Sequence, residues 1–130
     1  MRFLYVGSSD TGRDAAWYVE HAGARKVWHF KAFGAEVAAL QLGPGPLVLL
    51  ADHRKAGTVL PIYEVADLFT ERGRLEKAGW ECHDPGFETP NGPCVLLRDP
   101  SGNELALLED RRPQAMEASY ADPRNGNAVR

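Results

Sequence analysis

Hydrophobic and polar positions along the first half of the chain form one helical stretch among several short apolar runs. The opening apolar run stops at a Gly-Ser-Ser-Asp segment that can turn the chain and cap a helix. The next stretch has a mixed helical face and reaches Gly23, where a helix stop is expected. Glycines and prolines then separate three further apolar runs. The pattern predicts a strand at 3–6, a helix at 10–21, and strands at 26–33, 36–42 and 47–50.

The second half of the chain repeats this order. Its pattern predicts a strand at 58–65, a helix at 67–78 closed by Gly79, and strands at 80–83, 94–98 and 104–108. The segment from Leu47 to Asp52 matches the segment from Leu105 to Asp110 as L-x-L-L-x-D, and the two helix caps lie at nearly the same offset. We therefore expect an α+β fold of two tandem βαβββ modules, residues 1–55 and 57–110.

The last twenty residues, 111–130, contain turn-forming prolines, asparagines and a glycine with almost no apolar periodicity. Such a segment buries little surface of its own, so a flexible C-terminal tail is expected. Met116 and Tyr120 are its candidates for docking on a partner subunit.

Composition narrows the class of protein. A chain of 130 residues with 44% hydrophobic content is long enough for one domain. A net charge of −3 implies no basic face, so nucleic acid is not an expected partner. The first apolar run is too short for a signal peptide or a membrane span, which predicts a cytoplasmic protein with no membrane partner. Cys82 and Cys94 are expected to be reduced, although they could face each other across a hairpin.

Two features support a family resemblance beyond the duplicated pattern: Asp99-Pro100-Ser101-Gly102-Asn103 leading into the last strand, and Ala16-Trp17-Tyr18 at the helix centre. Together with the tandem modules, they resemble the vicinal oxygen chelate superfamily of glyoxalases, bleomycin-resistance proteins and extradiol dioxygenases. The resemblance covers roughly residues 1–110. It implies that the modules form a half-open, eight-stranded, barrel-like sheet around a concave ligand cavity, and that the protein is a homodimer.

The resemblance also implies where a metal ion would be bound. Metal-using members place one ligand on the first strand and one on the last strand of each module, usually His, Gln or Glu. The corresponding positions here are Phe3, Val48, Leu60 and Ala106. Because hydrocarbon side chains offer no donor atom to a divalent ion, we predict neither a metal site nor a cofactor. A register error of one residue would place Leu49 and other apolar residues there, with the same result.

Strand alternation then predicts the residues that line the cavity. Most are apolar or aromatic, which favours an apolar or planar organic ligand. The predicted ligand-binding residues are Phe3, Tyr5, Val48, Leu50, Leu60, Ile62, Glu64, Glu104, Ala106 and Leu108.

Polar candidates are few. Glu64 and Glu104 are the only carboxylates placed for acid or base work, and the alternative is that both lie at strand ends in solvent. Arg54 and Arg98 could bind an anionic substituent at the rim or simply cover the sheet edge with charge. The four histidines, at positions 21, 29, 53 and 83, are scattered and are expected on the surface or at the rim.

These observations favour a metal-independent protein that sequesters or senses a small organic molecule, with no catalytic residue assigned. One alternative is a glyoxalase-like lyase or isomerase that uses Glu64 or Glu104 as a base. Another is a domain whose cavity is filled by its own side chains, Phe3 in particular.

Overall fold

The computed structural model describes residues 1–82 and 85–130, which divide into two compact units. The first unit comprises Phe3–Val59 and Met116–Arg130, and the second comprises Met1–Arg2 and Leu60–Ala115. Each unit contains a sheet with parallel and antiparallel strands and one long helix, so the α+β class is confirmed.

The first unit has the predicted strand, helix and three strands. The elements are β1 (Phe3–Gly7), α1 (Thr11–His21), β2 (Arg25–Ala32), β3 (Ala35–Gln41) and β4 (Leu47–Ala51). Each boundary lies within one residue of the predicted one. The sheet runs in the order β2-β3-β4-β1, with β1 parallel to β4 and the other neighbours antiparallel.

Helix α1 begins where the sequence predicts and packs on one face of this sheet. The Asp10 carboxylate accepts a hydrogen bond from the Arg13 backbone N–H at 3.0 Å, which satisfies one of the unpaired donors of the first turn. Ala15 then packs against Leu40 and Leu50 in a buried cluster. These contacts define the helix-covered face of the sheet.

The second unit repeats the order with one addition. The elements are β5 (Val59–Glu64), α2 (Leu68–Lys77), β6 (Glu81–Cys82), β7 (Phe87–Glu88), β8 (Pro93–Arg98) and β9 (Glu104–Leu108). The sheet runs β5-β9-β8-β6, and the two-residue strand β7, which lies between the predicted strands at 80–83 and 94–98, also pairs with β8. Helix α2 is capped by Asp67 and packs its apolar side chains on β8 and β9.

The Asp99–Asn103 motif forms the hairpin connection between β8 and β9. The Asp99 backbone N–H donates to the Asn103 carbonyl at 3.0 Å, and the Asp99 carboxylate accepts from the backbone N–H groups of Ser101 and Asn103. The Asn103 side chain donates to the same carboxylate and lowers the pKa of Asp99. The motif is therefore used to build a turn.

Backbone hydrogen bonds show which residues of the two modules are equivalent. The Ser8 N–H donates to the Ala51 carbonyl, and the Val65 N–H donates to the Leu108 carbonyl, both at 2.9 Å. These equivalent pairs lie 57 positions apart, as do the helix caps, whereas the L-x-L-L-x-D match has an offset of 58. The letter match is therefore one residue out of register, and Leu49, not Val48, is the equivalent of Ala106.

The C-terminal segment corrects an expectation. Residues Ala115–Ala121 form helix α3, and residues 127–129 run along the outer edge of β2. The Lys31 N–H donates to the Asn127 carbonyl at 2.9 Å, and the Val129 N–H donates to the His29 carbonyl at 2.8 Å. The Tyr120 ring meets Phe30 edge-on at 5.6 Å. Long-range pairing gives this segment structure that its local sequence pattern does not encode.

The strand pairing also places the cysteines. Cys82 lies opposite Leu97 and Cys94 lies opposite Leu108, so the two cysteines do not face one another as the sequence allowed. No helix in the described part of the chain is both long and apolar enough to cross a membrane.

Candidate functional site

The face of the first sheet opposite α1 carries two of the predicted ligand-binding residues. Phe3 pairs with Leu47 and Tyr5 with Leu49 across β1 and β4, and residues paired in this way share a face. The neighbouring position, Leu50, belongs to the cluster beneath α1, so the paired set lies on the other face. Phe3, Leu47 and Leu49 are buried, and Tyr5 is half-buried.

Val48 and Leu50 do not share this face, contrary to the predicted alternation. Leu50 is buried with Ala15 of α1, and Val48 packs against the same cluster. The cause is the L-x-L-L-x-D match, which is one residue out of register. It made Val48 the equivalent of Ala106, so the residues of β4 that face α1 were predicted to bind the ligand.

The aromatic character of this face extends onto β2. Trp28 lies opposite Ala39, which itself lies opposite Leu49, so Trp28 faces the same way as Tyr5. Its ring lies 5.8 Å from that of Phe30. The face is apolar, and it carries aromatic rings from two strands.

A polar group lies beside this surface, where β4 ends. The Tyr5 hydroxyl lies 3.2 Å from Nε2 of His53, and the two rings meet at 5.6 Å. Burial raises the pKa of Tyr5 to about 12, while the positive charge of Arg54 partly opposes that rise. Nε of Arg54 is buried and has no hydrogen-bond partner within the described residues. Sequence reasoning considered these three residues separately but did not group them, because His53 and Arg54 come after the predicted strand.

The loop that carries His53 and Arg54 is fixed by backbone contacts. The Lys55 carbonyl accepts hydrogen bonds from the Thr58 backbone N–H at 3.2 Å and from its hydroxyl at 2.6 Å. The Gly7 N–H in turn donates to the Thr58 carbonyl at 3.0 Å. This arrangement anchors the loop to the end of β1.

The second unit brings its six predicted residues to one face of β5 and β9. Ile62 pairs with Ala106 and Glu64 with Leu108, while the alternate residue Leu107 packs beneath α2. The apolar members of the set, Leu60 among them, are buried.

The two carboxylates of this set, Glu64 and Glu104, are exposed and lie at opposite ends of the strand pair. Four residues of extended chain separate the two positions along the strands, about 13 Å. They therefore do not form a catalytic pair.

The positions at which the resemblance implies metal ligands carry no side chain that could bind an ion in either module. The first module presents Phe3 and Leu49 there, and the second presents Leu60 and Ala106. None of these side chains has an oxygen, nitrogen or sulfur donor. Among the described residues, no three His, Cys, Asp or Glu side chains are grouped so as to hold a metal ion.

The histidines differ in environment. His29 was expected on the surface or at the rim, but it is buried, and its Nε2 lies 2.7 Å from a Glu36 carboxylate oxygen on the helix-covered face. This buried pair escaped prediction because the two residues lie on different strands. His21 is exposed, and His83 lies outside the described residues.

A groove of about 460 Å³ lies in the second unit, and none of the predicted ligand-binding residues lines it. Two aromatic rings beside it are exposed, Phe69 at 88% and Phe87 at 47%. The groove is lined by Asp67, Leu68, Phe69, Arg72, Pro85, Gly86, Phe87, Glu88, Pro93, Cys94, Val95, Glu109 and Arg111.

Solved structures share this fold. A methylmalonyl-CoA epimerase from Mycobacterium tuberculosis has a TM-score of 0.71 at 16% identity, covering 88% of this chain and 89% of its own. A hypothetical protein from Bacillus halodurans also has a TM-score of 0.71, at 11% identity, with 86% and 94% covered. A Streptomyces coelicolor methylmalonyl-CoA epimerase has a TM-score of 0.68 at 12% identity, with 85% and 96% covered.

These structural similarities and the duplicated module give the chain the vicinal oxygen chelate fold. At such identities the likeness concerns the fold alone. No protein-family model matches the sequence, and no curated protein matches it by sequence.

Proposed function

We propose that this protein binds a small, apolar or aromatic organic molecule without using a metal ion. The observation that carries the proposal is the chemistry of the positions where metal-using proteins of this fold hold their ion: Phe3 and Leu49 in one module, Leu60 and Ala106 in the other. These side chains can contact an organic molecule but cannot coordinate or polarise one through a metal.

The first unit favours one place for the ligand. Phe3, Leu49 and Trp28 are buried on the face opposite α1, whereas Tyr5 is half-buried and His53 is exposed. A ligand that reaches this face therefore meets the Tyr5 ring first. A flat aromatic ring gives large apolar contact at low entropic cost, which suits a planar ligand.

Small-molecule binding is consistent with the fold. The Streptomyces coelicolor epimerase was solved in complex with 2-nitronate-propionyl-CoA. The alternative of a lyase or isomerase that uses Glu64 or Glu104 as a base has less support, because both carboxylates are exposed at opposite strand ends. A proton-abstracting carboxylate is usually held in a less solvated position.

Elemental analysis and thermal unfolding test the proposal together. The purified protein should contain far less than one transition-metal ion per chain, and EDTA should leave ligand binding unchanged. Indole, 1-naphthol and phenylacetate should raise the unfolding midpoint, because a ligand that binds only the native state stabilises it. A stoichiometric metal, or binding that EDTA abolishes, contradicts the proposal.

A pair of variants localises the binding. Tyr5→Ala should weaken the stabilisation by these compounds, and Phe69→Ala, which removes an exposed ring beside the groove of the second unit, should not. The reverse pattern would place the ligand in that groove and overturn the assignment to the first sheet.

The resemblance also underlies two further proposals, a cytoplasmic location and a homodimer. A molar mass near twice 14.3 kDa in light scattering would support the dimer, and a monomer at all concentrations would contradict it.

A further inference from the structure

Phe33 lies at the tip of the β2–β3 hairpin in a backbone conformation that bulky residues rarely adopt. Ala32 pairs with Ala35, so Phe33 and Gly34 are the two central residues of the turn, with φ angles of 53° and 76°. Positive φ at both positions is the pattern of a type I′ turn, for which Asn-Gly is a preferred pair. A phenylalanine at such a φ is strained, and no other described residue except glycine has a positive φ.

The Phe33 ring is also fully exposed to solvent. In the monomer the ring therefore contributes no burial energy, while the backbone of the same residue stores strain. Strained residues of this kind cluster at binding and switch regions, where a contact makes use of them. A partner that buries the ring would offset both costs.

The groove of the second unit is an apolar receptor of suitable size. Its volume of about 460 Å³ is larger than a single aromatic side chain, and its lining includes Leu68, Pro93 and Val95. Phe69 and Phe87 beside it are both exposed. Aromatic rings pack favourably edge to face or offset, so a third ring is a suitable occupant for a groove with two exposed ones.

The charges of the hairpin and the groove are complementary. Segment 31–35 of the hairpin has a single charged side chain, the exposed Lys31. The groove is lined by three carboxylates and two guanidinium groups, those of Asp67, Glu88, Glu109, Arg72 and Arg111. A positive hairpin tip is therefore attracted to a groove with an excess of negative charge. Because one chain carries both features, a second copy of this chain is the partner that they fit.

We propose that the β2–β3 hairpin of one copy inserts Phe33 into the groove of a second copy, against Phe69 and Phe87, and that the second copy does the same in return. The proposal rests on the homodimer proposed above and specifies its interface. Burial of the exposed parts of the three rings would cover roughly 350–600 Å² in each contact, and about twice as much in the reciprocal pair. This is the size of a weak interface, so the dimer should dissociate on dilution.

Phe33→Asn tests the hairpin, because it removes the ring and gives the turn its preferred Asn-Gly pair. Under dilute conditions, in which the chain is monomeric, this variant should be at least as stable to urea as the unaltered protein. Sedimentation equilibrium of the full chain should show self-association weakened at least about 10-fold. Phe69→Ala should weaken it similarly from the groove. Trp17→Ala, which removes an exposed ring of α1, is the control and should leave it unchanged.

An equimolar mixture of the two variants tests whether the hairpin and the groove meet. Phe33→Asn retains an intact groove, and Phe69→Ala retains an intact hairpin, so a complete contact forms only in the mixed pair. The mixed pair should therefore be tighter than either variant with itself, which two independent losses would not produce. Self-association of a folded Phe33→Asn protein at the strength of the unaltered one overturns the inference, as does a mixture no tighter than its components.

Failure of this inference is distinguishable from failure of the proposals on which it rests. A dimer that persists in both variants overturns the hairpin contact alone, and the homodimer then has another interface. A monomer at all concentrations overturns both the homodimer and this inference. Ligand binding is measured separately by thermal unfolding, so neither result depends on it.

Discussion

Gly7 lies so close to Lys55 that a β-carbon at position 7 would be 1.9 Å from the Lys55 carbonyl oxygen. The contact is with backbone, so a side chain at position 7 would displace the loop that carries His53 and Arg54. Only a residue without a β-carbon allows β1 and this loop to approach so closely.

Gly7→Ala should therefore destabilise the protein by about 1–3 kcal/mol, the usual cost of overpacking a closely packed position. It should also weaken the binding of phenylacetate. Gly126→Ala is the matched control, because a β-carbon there meets no atom within 4 Å. Urea unfolding measures both variants, and equal stability of the two would show that the loop adapts at no cost.

Arg2 and Asp110 form an ion pair in the second unit, with 3.0 Å between Nε and a carboxylate oxygen. The Asp110 side chain is 1% exposed, so loss of Arg2 leaves a buried charge. Arg2→Met should lower the free energy of unfolding by about 3–5 kcal/mol.

Arg124→Met, which removes a pair whose arginine is 89% exposed, is the control and should change stability little. The double variant Arg2→Met, Asp110→Leu should recover much of the loss from Arg2→Met, because it removes the stranded charge. No recovery would mean that the arginine contributes through packing and not through its charge.

Tyr5 should make stability fall at high pH. Its pKa is raised from 10.0 to about 12 in the folded protein, so the unfolded chain ionises first as the pH rises. The stabilisation from Tyr5 is complete below pH 10 and is lost as the pH rises through about 12.

The free energy of unfolding of the unaltered protein should accordingly decline more steeply than that of Tyr5→Phe across this window. Ultraviolet difference spectra should assign one late-titrating tyrosine to position 5. Parallel stability profiles for the two proteins would contradict the raised pKa.

Tyr120 should protect the edge of β2 from hydrogen exchange. Its hydroxyl donates to the Val129 carbonyl at 2.7 Å, and its ring packs on Phe30. Tyr120→Ala should accelerate hydrogen exchange of the Lys31 and Val129 amides. The Lys31 N–H donates to the segment that Tyr120 anchors, and the Val129 N–H donates from that segment to β2.

Tyr120→Phe retains the ring and loses only the hydroxyl, so it should have a smaller effect. Unchanged exchange in Tyr120→Ala would show that the backbone pairing needs no side-chain anchor.

Most of the fold could be predicted from local signals. Asp10 and Asp67 cap the helices that the sequence assigned to them, and the bounds of β9 are the predicted ones. Cap chemistry and glycine stops act through neighbouring residues, so a single sequence reveals them.

Local signals could not predict which side chains of β4 face α1. Its residues Leu47 to Leu50 are all apolar, so no polar alternation marks which of them face α1. The letter repeat was used as the guide to register there, and it is out by one residue, whereas the 57-residue offset between the helix caps Asp10 and Asp67 gives the observed register. In β5 and β9, the positions counted from the Asp67 cap and from the Asp99–Asn103 turn share a face.

The grouping of Tyr5 with His53 and Arg54, and the pairing of His29 with Glu36, depend on contacts between strands. Such contacts arise from tertiary structure, so no local pattern indicates them.

Residues 127–129 occupy the outer hydrogen-bonding groups of β2 at His29 and Lys31. A second copy of the chain cannot pair with this part of β2 unless its own terminal segment replaces the resident one. Self-association along β2 would then be an exchange of arms between molecules, with slow kinetics set by release of the segment, and not a simple addition of edge to edge.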